Sequence, residues 1–550
     1  MKARIFVRLL LAAIVLSVTI LSYPVQAGSD LIQERSQPTT FGIAYVNEGR
    51  DVSQSFDLTF EFEFLRNSVG VWSDGKGDLL LEQHIKNTST DPAAVMESMT
   101  WWFNWPSADY SKIHALDGKG PLKTTTETSE TVIFVTVNFR TPLQPGQTYK
   151  FKQFITIGEM IFGSGDYWTA NWGIYPGSNV KSFEQVLALP ANSTVTSVTP
   201  AVSERHGNIL IWRGDNTTGD YSLVIEVPYV LSDSIAVGLF LQRADPWGDD
   251  IYAHNTEPSD TMARWGCLIT SGAMLVNYFA ATQDRANYTD PGVLNTWMIN
   301  NSGYDRLYYA KHAWFGKYAR QTPRDISMYW NSSTGYDTTL LDYYLRSGYP
   351  VILGVKPEFD PVTKRYYPGH WVVVTGKTTE DGVDTYSIND PIYGQTTLKK
   401  QYLNNALVMV TFSASEANQQ LLYFAAQSPI HFVITDPLER KAGYDPTTDT
   451  LYEEIPGAYY LYEGLSDAFG KQEPRVAKTL TIPDPVDGPY LITVYGIGNG
   501  AYTMEASAMD WQGVTMDRIF TGTVTEGQVI TYKVTYSEVI YQTFLPIAVR

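Results

Sequence analysis

A thiol, an imidazole and a carboxylate in this 550-residue chain have the types and settings that covalent acyl chemistry requires. The thiol is Cys267, the only cysteine present. It lies in Arg264-Trp-Gly-Cys267-Leu-Ile-Thr-Ser-Gly-Ala-Met-Leu-Val-Asn-Tyr-Phe279, which reads as a largely buried helix interrupted only by Thr270, Ser271 and Asn277. Gly266 gives that helix a flexible entry and places Cys267 at or near its first turn. A thiol there feels the partial positive charge of the helix N-terminus, which favours the nucleophilic thiolate. The competing reading is a buried cysteine acting as a small hydrophobe. Of the seven histidines, His370 is the best partner, because it follows Gly369 and opens a run of valines, so its backbone is rigid while its side chain sits at a strand's exposed mouth. Asp390 ends a later strand ahead of Pro391. With a turn centred near Asp381, His370 and Asp390 lie about equally far from it and fall at one end of a hairpin. A nucleophile, a base and a group that fixes the base's tautomer are what such chemistry needs. A polar strand end and an Asp-Pro turn are the plain alternatives for the last two.

The elements that must position these groups belong to a chain long enough for about three or four domains. Charged residues at 18% and hydrophobic residues at 44% describe an ordinary globular protein. Residues 1–27 read as a signal peptide: Lys2, Arg4 and Arg8, an apolar core from Leu9 to Leu21, and Val25-Gln-Ala27 as the cleavage site. The expected address is therefore secreted or extracellular, with cell-surface association open. Secreted chains ordinarily use cysteines in pairs, so a solitary thiol kept in an oxidising compartment points to a task for it. It also excludes a zinc site built on several thiolates, and neither a metal nor a cofactor is expected. The net charge is −18, and loss of three basic signal residues takes −18 to −21. That balance disfavours nucleic acid and anionic membranes as partners.

After a linker at 28–40, residues 41–235 read as one or two sandwich-like domains of antiparallel strands. Ser55 to Phe64 and Thr131 to Phe139 alternate apolar and polar residues, and turn clusters such as Asp117-Gly-Lys-Gly-Pro121 punctuate the region. Residues 241–412 change texture. Helices are expected at Cys267, at Pro291 to Asn300 with Asp290 as cap, and at Thr338 to Ser347 ending on Gly348. Strands follow at Pro350 to Val355, His370 to Gly376 and Tyr386 to Asp390, which gives an α+β domain. Residues 430–550 read as a further sandwich-like region, with Gly496 to Gly500 as a turn between two of its strands. Tyr444 to Asp449 reads as a plain turn, and Thr543 to Arg550 as a last strand or a sorting tail.

Four motifs stand in order: Gln242-Arg-Ala-Asp-Pro-Trp-Gly248, Gly266-Cys-Leu-Ile-Thr-Ser-Gly-Ala-Met-Leu275, Gly369-His-Trp-Val-Val-Val-Thr-Gly376 and Ile388-Asn-Asp-Pro391. Over residues 241–412 the chain resembles the papain-fold cysteine peptidases related to bacteriocin-leader (double-glycine) processing peptidases. The resemblance implies a papain-like fold with Cys267 as nucleophile, His370 as general base and acid, Asp390 as the orienting carboxylate and Gln242 as oxyanion donor. Family members often carry Asp-Pro-Arg-Trp-Gly, and here the arginine is missing from Asp245-Pro-Trp247-Gly248. Transporter-linked members carry membrane and nucleotide-binding domains, and none is legible here, which argues against leader processing during export.

The expected architecture is therefore multidomain, a papain-like α+β peptidase domain flanked by all-β, sandwich-like regions. The expected function is a secreted cysteine peptidase or amidase that works through an acyl-thioester on peptide or protein substrates. Two alternatives stay open: a non-catalytic binding or surface protein whose β-regions contact a polymer or cell surface, and an acyl transferase of transglutaminase type. Trp247, Trp265, Tyr304 and Trp371 are candidates to line a substrate groove.

Overall fold

The structure is a computed structural model that describes residues 39–47, 58–71, 77–104, 109–129, 132–157, 162–164, 167–175, 179–190, 193–214, 219–226, 235–285, 289–361, 363–414, 419–427, 429–469, 475–510 and 513–537. The signal-like residues 1–27, most of the linker and the tail from Thr543 lie outside the described residues.

Ahead of residue 230 an eight-stranded and a nine-stranded sheet share one apolar core. Alternation builds that core: in the strand Val132–Leu143, Ile133, Val135, Val137 and Phe139 point inward and their neighbours do not. Trp101, Trp172 and Leu223 come from one sheet and Leu65, Leu81 and Leu187 from the other, so the described strands make one stack of two sheets, not two small sandwiches. The sheets are mixed, where purely antiparallel sheets were expected. Thr39–Asn47 runs parallel to Tyr167–Tyr175, and Phe60–Val71 runs parallel to Phe183–Ala188. Period-two patterning reports which face is buried but carries no information on strand direction, and the long intervening chain permits the parallel return.

In the middle of the chain a six-stranded antiparallel sheet has the spatial order Tyr329–Gly335, Ala406–Ser413, Val351–Asp360, Arg365–Glu380, Val383–Asp390 and Gly394–Thr397. The helix Cys267–Thr282 packs on it, the Ser271 hydroxyl donating to the Trp371 carbonyl at 3.4 Å, and Leu268, Ala273 and Leu275 share one apolar core with Val372 and Val374 of the sheet. This helix is apolar around most of its circumference because its far end meets a second surface. The amide of Asn208 donates to the Thr282 carbonyl at 3.3 Å, and Ile209 and Ile211 of the N-terminal stack join the same core. Asp290 caps the helix Pro291–Asn300 by accepting from the Val293 amide at 2.8 Å. Asp337 caps Thr338–Arg346, which ends ahead of Gly348 at φ +75°. Elements without a clear sequence signal include the helices Ala313–Arg320 and Leu398–Tyr402 and the sheet strands Tyr329–Gly335, Gly394–Thr397 and Ala406–Ser413.

From residue 421 two five-stranded sheets enclose a further core of Phe424, Phe432, Leu480, Ile492 and Met504. Gly496 to Gly500 passes between these sheets and does not join paired strands, because Gly488–Gly496 pairs with Ile430–Thr435 while Gly500–Met509 pairs with Leu421–Gln427. Pro446 to Asp449 form the turn of a hairpin between Lys441–Asp445 and Thr450–Glu453, so Tyr444 and Asp445 of the expected turn lie in the strand. The outer face of this region, through Leu421, Tyr423, Ala477 and Met509, merges with the central core. Among the described residues no helix is long and apolar enough to cross a membrane.

Candidate active site

Cys267 begins its helix as a free, buried thiol, 7% exposed. A short helix, Met262–Trp265, leads into it, and Gly266 at the junction is forced by space: a Cβ there would lie 2.6 Å from the Met262 carbonyl oxygen. The chain can therefore turn sharply enough to aim the sulfur out of the first turn and into a cavity.

The imidazole arrives on the sheet. His370 lies within the strand Arg365–Glu380, not at its mouth, and is buried. The strand begins earlier than the valine run suggested because Arg365 to Pro368 pair with Pro357 to Asp360 of the neighbouring strand. The hairpin to Val383–Asp390 turns at Asp381 and Gly382, both at positive φ. Its register shifts once, between Val374 and Gly376, and then sets Val373 opposite Asn389. Continued by one residue, that register puts Val372 opposite Asp390, and His370 on the same face lies diagonal to it.

His370 Nε2 and Asp390 Oδ1 are 3.0 Å apart. With Nε2 engaged there, Nδ1 is the nitrogen left for sulfur, and Cys267 and His370 are within hydrogen-bonding reach. Burial opposes charge on this imidazole, but the Asp390 and Cys267 hydrogen bonds and charges outweigh it and raise its pKa to about 9. Asp390 is itself buried, which favours its neutral form, yet its partners hold it below the usual carboxylate range. Besides His370 those partners are the Ile392 amide at 2.7 Å and the Tyr393 amide at 3.1 Å, both on Oδ1, and the Tyr402 hydroxyl on Oδ2. Tyr402 ends the helix Leu398–Tyr402, and its ring lies 6.1 Å from that of His370. Its phenol pKa is raised by burial and then by the Asp390 charge, so it remains a donor.

Gln242 lines the same cavity as Cys267 and His370. Its amide nitrogen donates to the Ala263 carbonyl at 2.9 Å, and its backbone amide donates to the Pro391 carbonyl at 2.9 Å. One N–H of that side-chain amide is thus spent on holding it in place; the amide carries a second N–H, and its Oε1 is buried without a hydrogen-bond partner among the described residues. The cavity has a volume of about 200 Å³ and is also lined by Arg264, Lys356, Tyr393 and, from the C-terminal region, Ser466, Asp467 and Ala468. Trp265, Tyr304 and Trp371 do not line it. They are core residues, because rings of that size fill the space behind the helix and sheet. Trp247 is also buried, its indole donating to the Leu241 carbonyl at 2.9 Å.

Reasoning from the sequence missed Tyr402, Arg264 and the Ser466–Phe469 loop. A lone tyrosine after a turn has no distinguishing pattern, and the loop comes from about two hundred residues beyond Cys267.

A sulfur, an imidazole and a carboxylate stand in series at a partly open cavity, an arrangement with the group types that thiol-based acyl chemistry uses. Residues 250–419 match the model of the Peptidase_C39 like family. That span includes Cys267, His370, Asp390 and Tyr402, and excludes Gln242 and the Ser466–Phe469 loop. The match supports a peptidase-type hydrolase over that segment. No curated protein matches the chain. Among solved structures it is similar to an M1 zinc metallopeptidase from Deinococcus radiodurans, at 8% identity over 34% of this chain and 47% of that one, TM-score 0.22. It is also similar to a putative protease from Parabacteroides distasonis ATCC 8503, at 11% identity over 62% of this chain and 71% of that one, TM-score 0.22. The chain spans about half the length of the Deinococcus structure.

Proposed function

We propose that this chain is an exported cysteine peptidase or amidase, with Cys267 as nucleophile, His370 as general acid and base, Asp390 as orienting carboxylate and Gln242 as oxyanion donor. The observation that carries the reading is the series Cys267, His370, Asp390 at one cavity inside the segment that matches the peptidase family. A nucleophile helix packed on an antiparallel sheet that carries the base and the acid supports a papain-like core, with all-β regions on either side of it in the chain. The apolar, basic-led residues 1–27 support export.

The reaction follows from these positions. The Cys267 sulfur adds to the substrate carbonyl carbon, and the carbonyl electron pair moves onto oxygen. The Gln242 N–H meets that developing charge, a contact worth about 3 kcal/mol in such sites. Collapse of the adduct breaks the C–N bond as the imidazolium of His370 gives its proton to the leaving amine. Water then attacks the thioester, the now neutral imidazole takes the water's proton, and the C–S bond breaks to release the acid and the sulfur.

A peptide-library digest read by mass spectrometry tests this, comparing the wild type with Cys267→Ala. New termini that appear with the wild type alone are expected. Cleavage that persists in Cys267→Ala overturns the reading. So does alkylation of Cys267 by iodoacetamide near neutral pH that is no faster than for a free thiol and indifferent to His370→Ala, which would leave a non-catalytic binding protein.

A further inference from the structure

The cavity at Cys267 has two walls from the central segment and a third side that is not part of it. Arg264 comes from the segment leading into Cys267, Lys356, Gly369 and His370 come from the sheet, and Gln242 is bonded to both Ala263 and Pro391. Between the two walls comes a stretch of the C-terminal region, Ser466 to Phe469, which follows the strand Tyr459–Leu465. Ser466, Asp467 and Ala468 all face the cavity.

This stretch is tied to both walls. Toward the cysteine side, Arg243 Nη2 donates to the Ala468 carbonyl at 3.0 Å and its guanidinium lies 4.5 Å from the centre of the Phe469 ring. The Ala468 amide donates to the Arg264 carbonyl at 3.2 Å, and the Asp467 carboxylate pairs with Arg264 Nε at 3.4 Å. Toward the histidine side, the Ser466 hydroxyl donates to Glu358 Oε2 at 2.6 Å. Glu358 also accepts from Tyr367 at 3.1 Å and pairs with Lys356 at 2.8 Å. Its carboxylate lies against Gly369, where a Cβ would come within 2.6 Å of Oε1, so the anchor sits at the residue that precedes His370. The strand that delivers the loop must ride on the Tyr367 ring, and Gly464 permits it, since a Cβ there would fall 1.9 Å from that ring.

We infer that Ser466–Phe469 is a fixed strap across one end of the substrate cleft, which restricts the enzyme to bonds near the end of a peptide chain. The inference rests on the peptidase reading and names its substrate class. A peptide extended past Cys267 must run between the cysteine wall and the histidine wall, and a segment bonded to both walls crosses that path. On the strapped side of the scissile bond only a short stub fits. The volume agrees: about 200 Å³ is below the roughly 300–1,000 Å³ of ordinary small-molecule sites. The other side of the bond is expected to leave past Tyr393, which lines the cavity and is exposed.

The test loosens the strap without removing a buried charge. Ser466→Ala with Arg243→Ala cuts one tie on each wall, and thermal melting checks that the double variant stays folded. The first readout is alkylation of Cys267 by iodoacetamide and by a maleimide carried on a long polyethylene glycol chain. The rate ratio of bulky to small reagent is expected to rise about tenfold in the double variant. The second readout is digestion of peptides blocked at the N-terminus, at the C-terminus or at neither. The wild type is expected to cut only close to one end, with one of the two blocks abolishing it and so identifying the end. The double variant is expected to cut internal bonds as well. Internal cleavage by the wild type, or a reagent ratio that does not move, overturns the strap while leaving the peptidase reading intact. Absence of any cleavage, with alkylation indifferent to His370→Ala, defeats the peptidase reading and the chain-end specificity with it. Ala468→Trp is the converse control: filling the gap is expected to slow even iodoacetamide, and an unchanged rate counts against the strap.

Discussion

At the scale of single residues, the site is governed by what surrounds one imidazole. His370 is held protonated to about pH 9 because two acceptors outweigh its burial. In the proposed mechanism that imidazolium protonates the leaving amine, so hydrolysis is expected to fall along a basic limb near pH 9. Removal of the carboxylate charge makes the imidazolium easier to lose. Asp390→Asn is therefore expected to move the basic limb to lower pH and to reduce the rate by about a hundredfold or more. A pH–rate profile of the two proteins checks this, and an unmoved limb sinks it. Tyr402 acts one step further out, through Asp390. Tyr402→Phe leaves Oδ2 of a buried carboxylate without this donor and is expected to destabilise the fold by about 1–3 kcal/mol, read from urea unfolding.

Elements set those residues where they are. Helix and hairpin were both legible locally: the apolar run after Gly266 calls for a buried helix, and the Asp381-Gly382 turn folds His370 back toward Asp390. The displacement of His370 into the strand was not legible, because it depends on Pro357 to Asp360 extending the neighbouring strand. A further dependence concerns the far end of the nucleophile helix. Gly207 sits at φ +56°, and a Cβ there would lie 1.7 Å from the Thr282 carbonyl oxygen. Gly207→Ala combines a left-handed backbone with a collision against a helix terminus. It is expected to cost more than about 3 kcal/mol and to lower the melting temperature, even though Gly207 is remote in sequence from the cavity.

For the whole molecule, the flanking sheets are part of the central core and not appendages to it. Ile209 and Ile211 enter it from one side and Leu421, Tyr423 and Met509 from the other. Charge is buried in the second of these contacts. Lys311, fully buried, pairs with Glu505 at 2.7 Å and Asp517 at 3.2 Å and donates to Ser507 at 2.7 Å. Lys311→Met strands Glu505 in the interior and is expected to cost about 3–5 kcal/mol. Adding Glu505→Leu is expected to recover part of that loss, because it removes the more deeply buried of the two carboxylates that Lys311 faces and leaves Asp517, which is partly exposed. Denaturant midpoints of the two variants check the pair, and a double variant no more stable than Lys311→Met alone counts against it.

What the sequence determined by itself was the identity of the chemical groups and their local frames. A solitary thiol behind a glycine, a histidine beside a valine run and an aspartate before a proline are short-range facts, set by helix termini, strand period and turn geometry. The tertiary structure alone decided strand direction in the N-terminal sheets, the burial of His370, the Tyr402 donor and the third side of the cavity. The strand directions and the third side of the cavity depend on contacts between segments roughly one to two hundred residues apart, and the Tyr402 donor and the burial of His370 on how nearer strands and a helix fold back. Residue spacing along a chain does not encode which surfaces will meet.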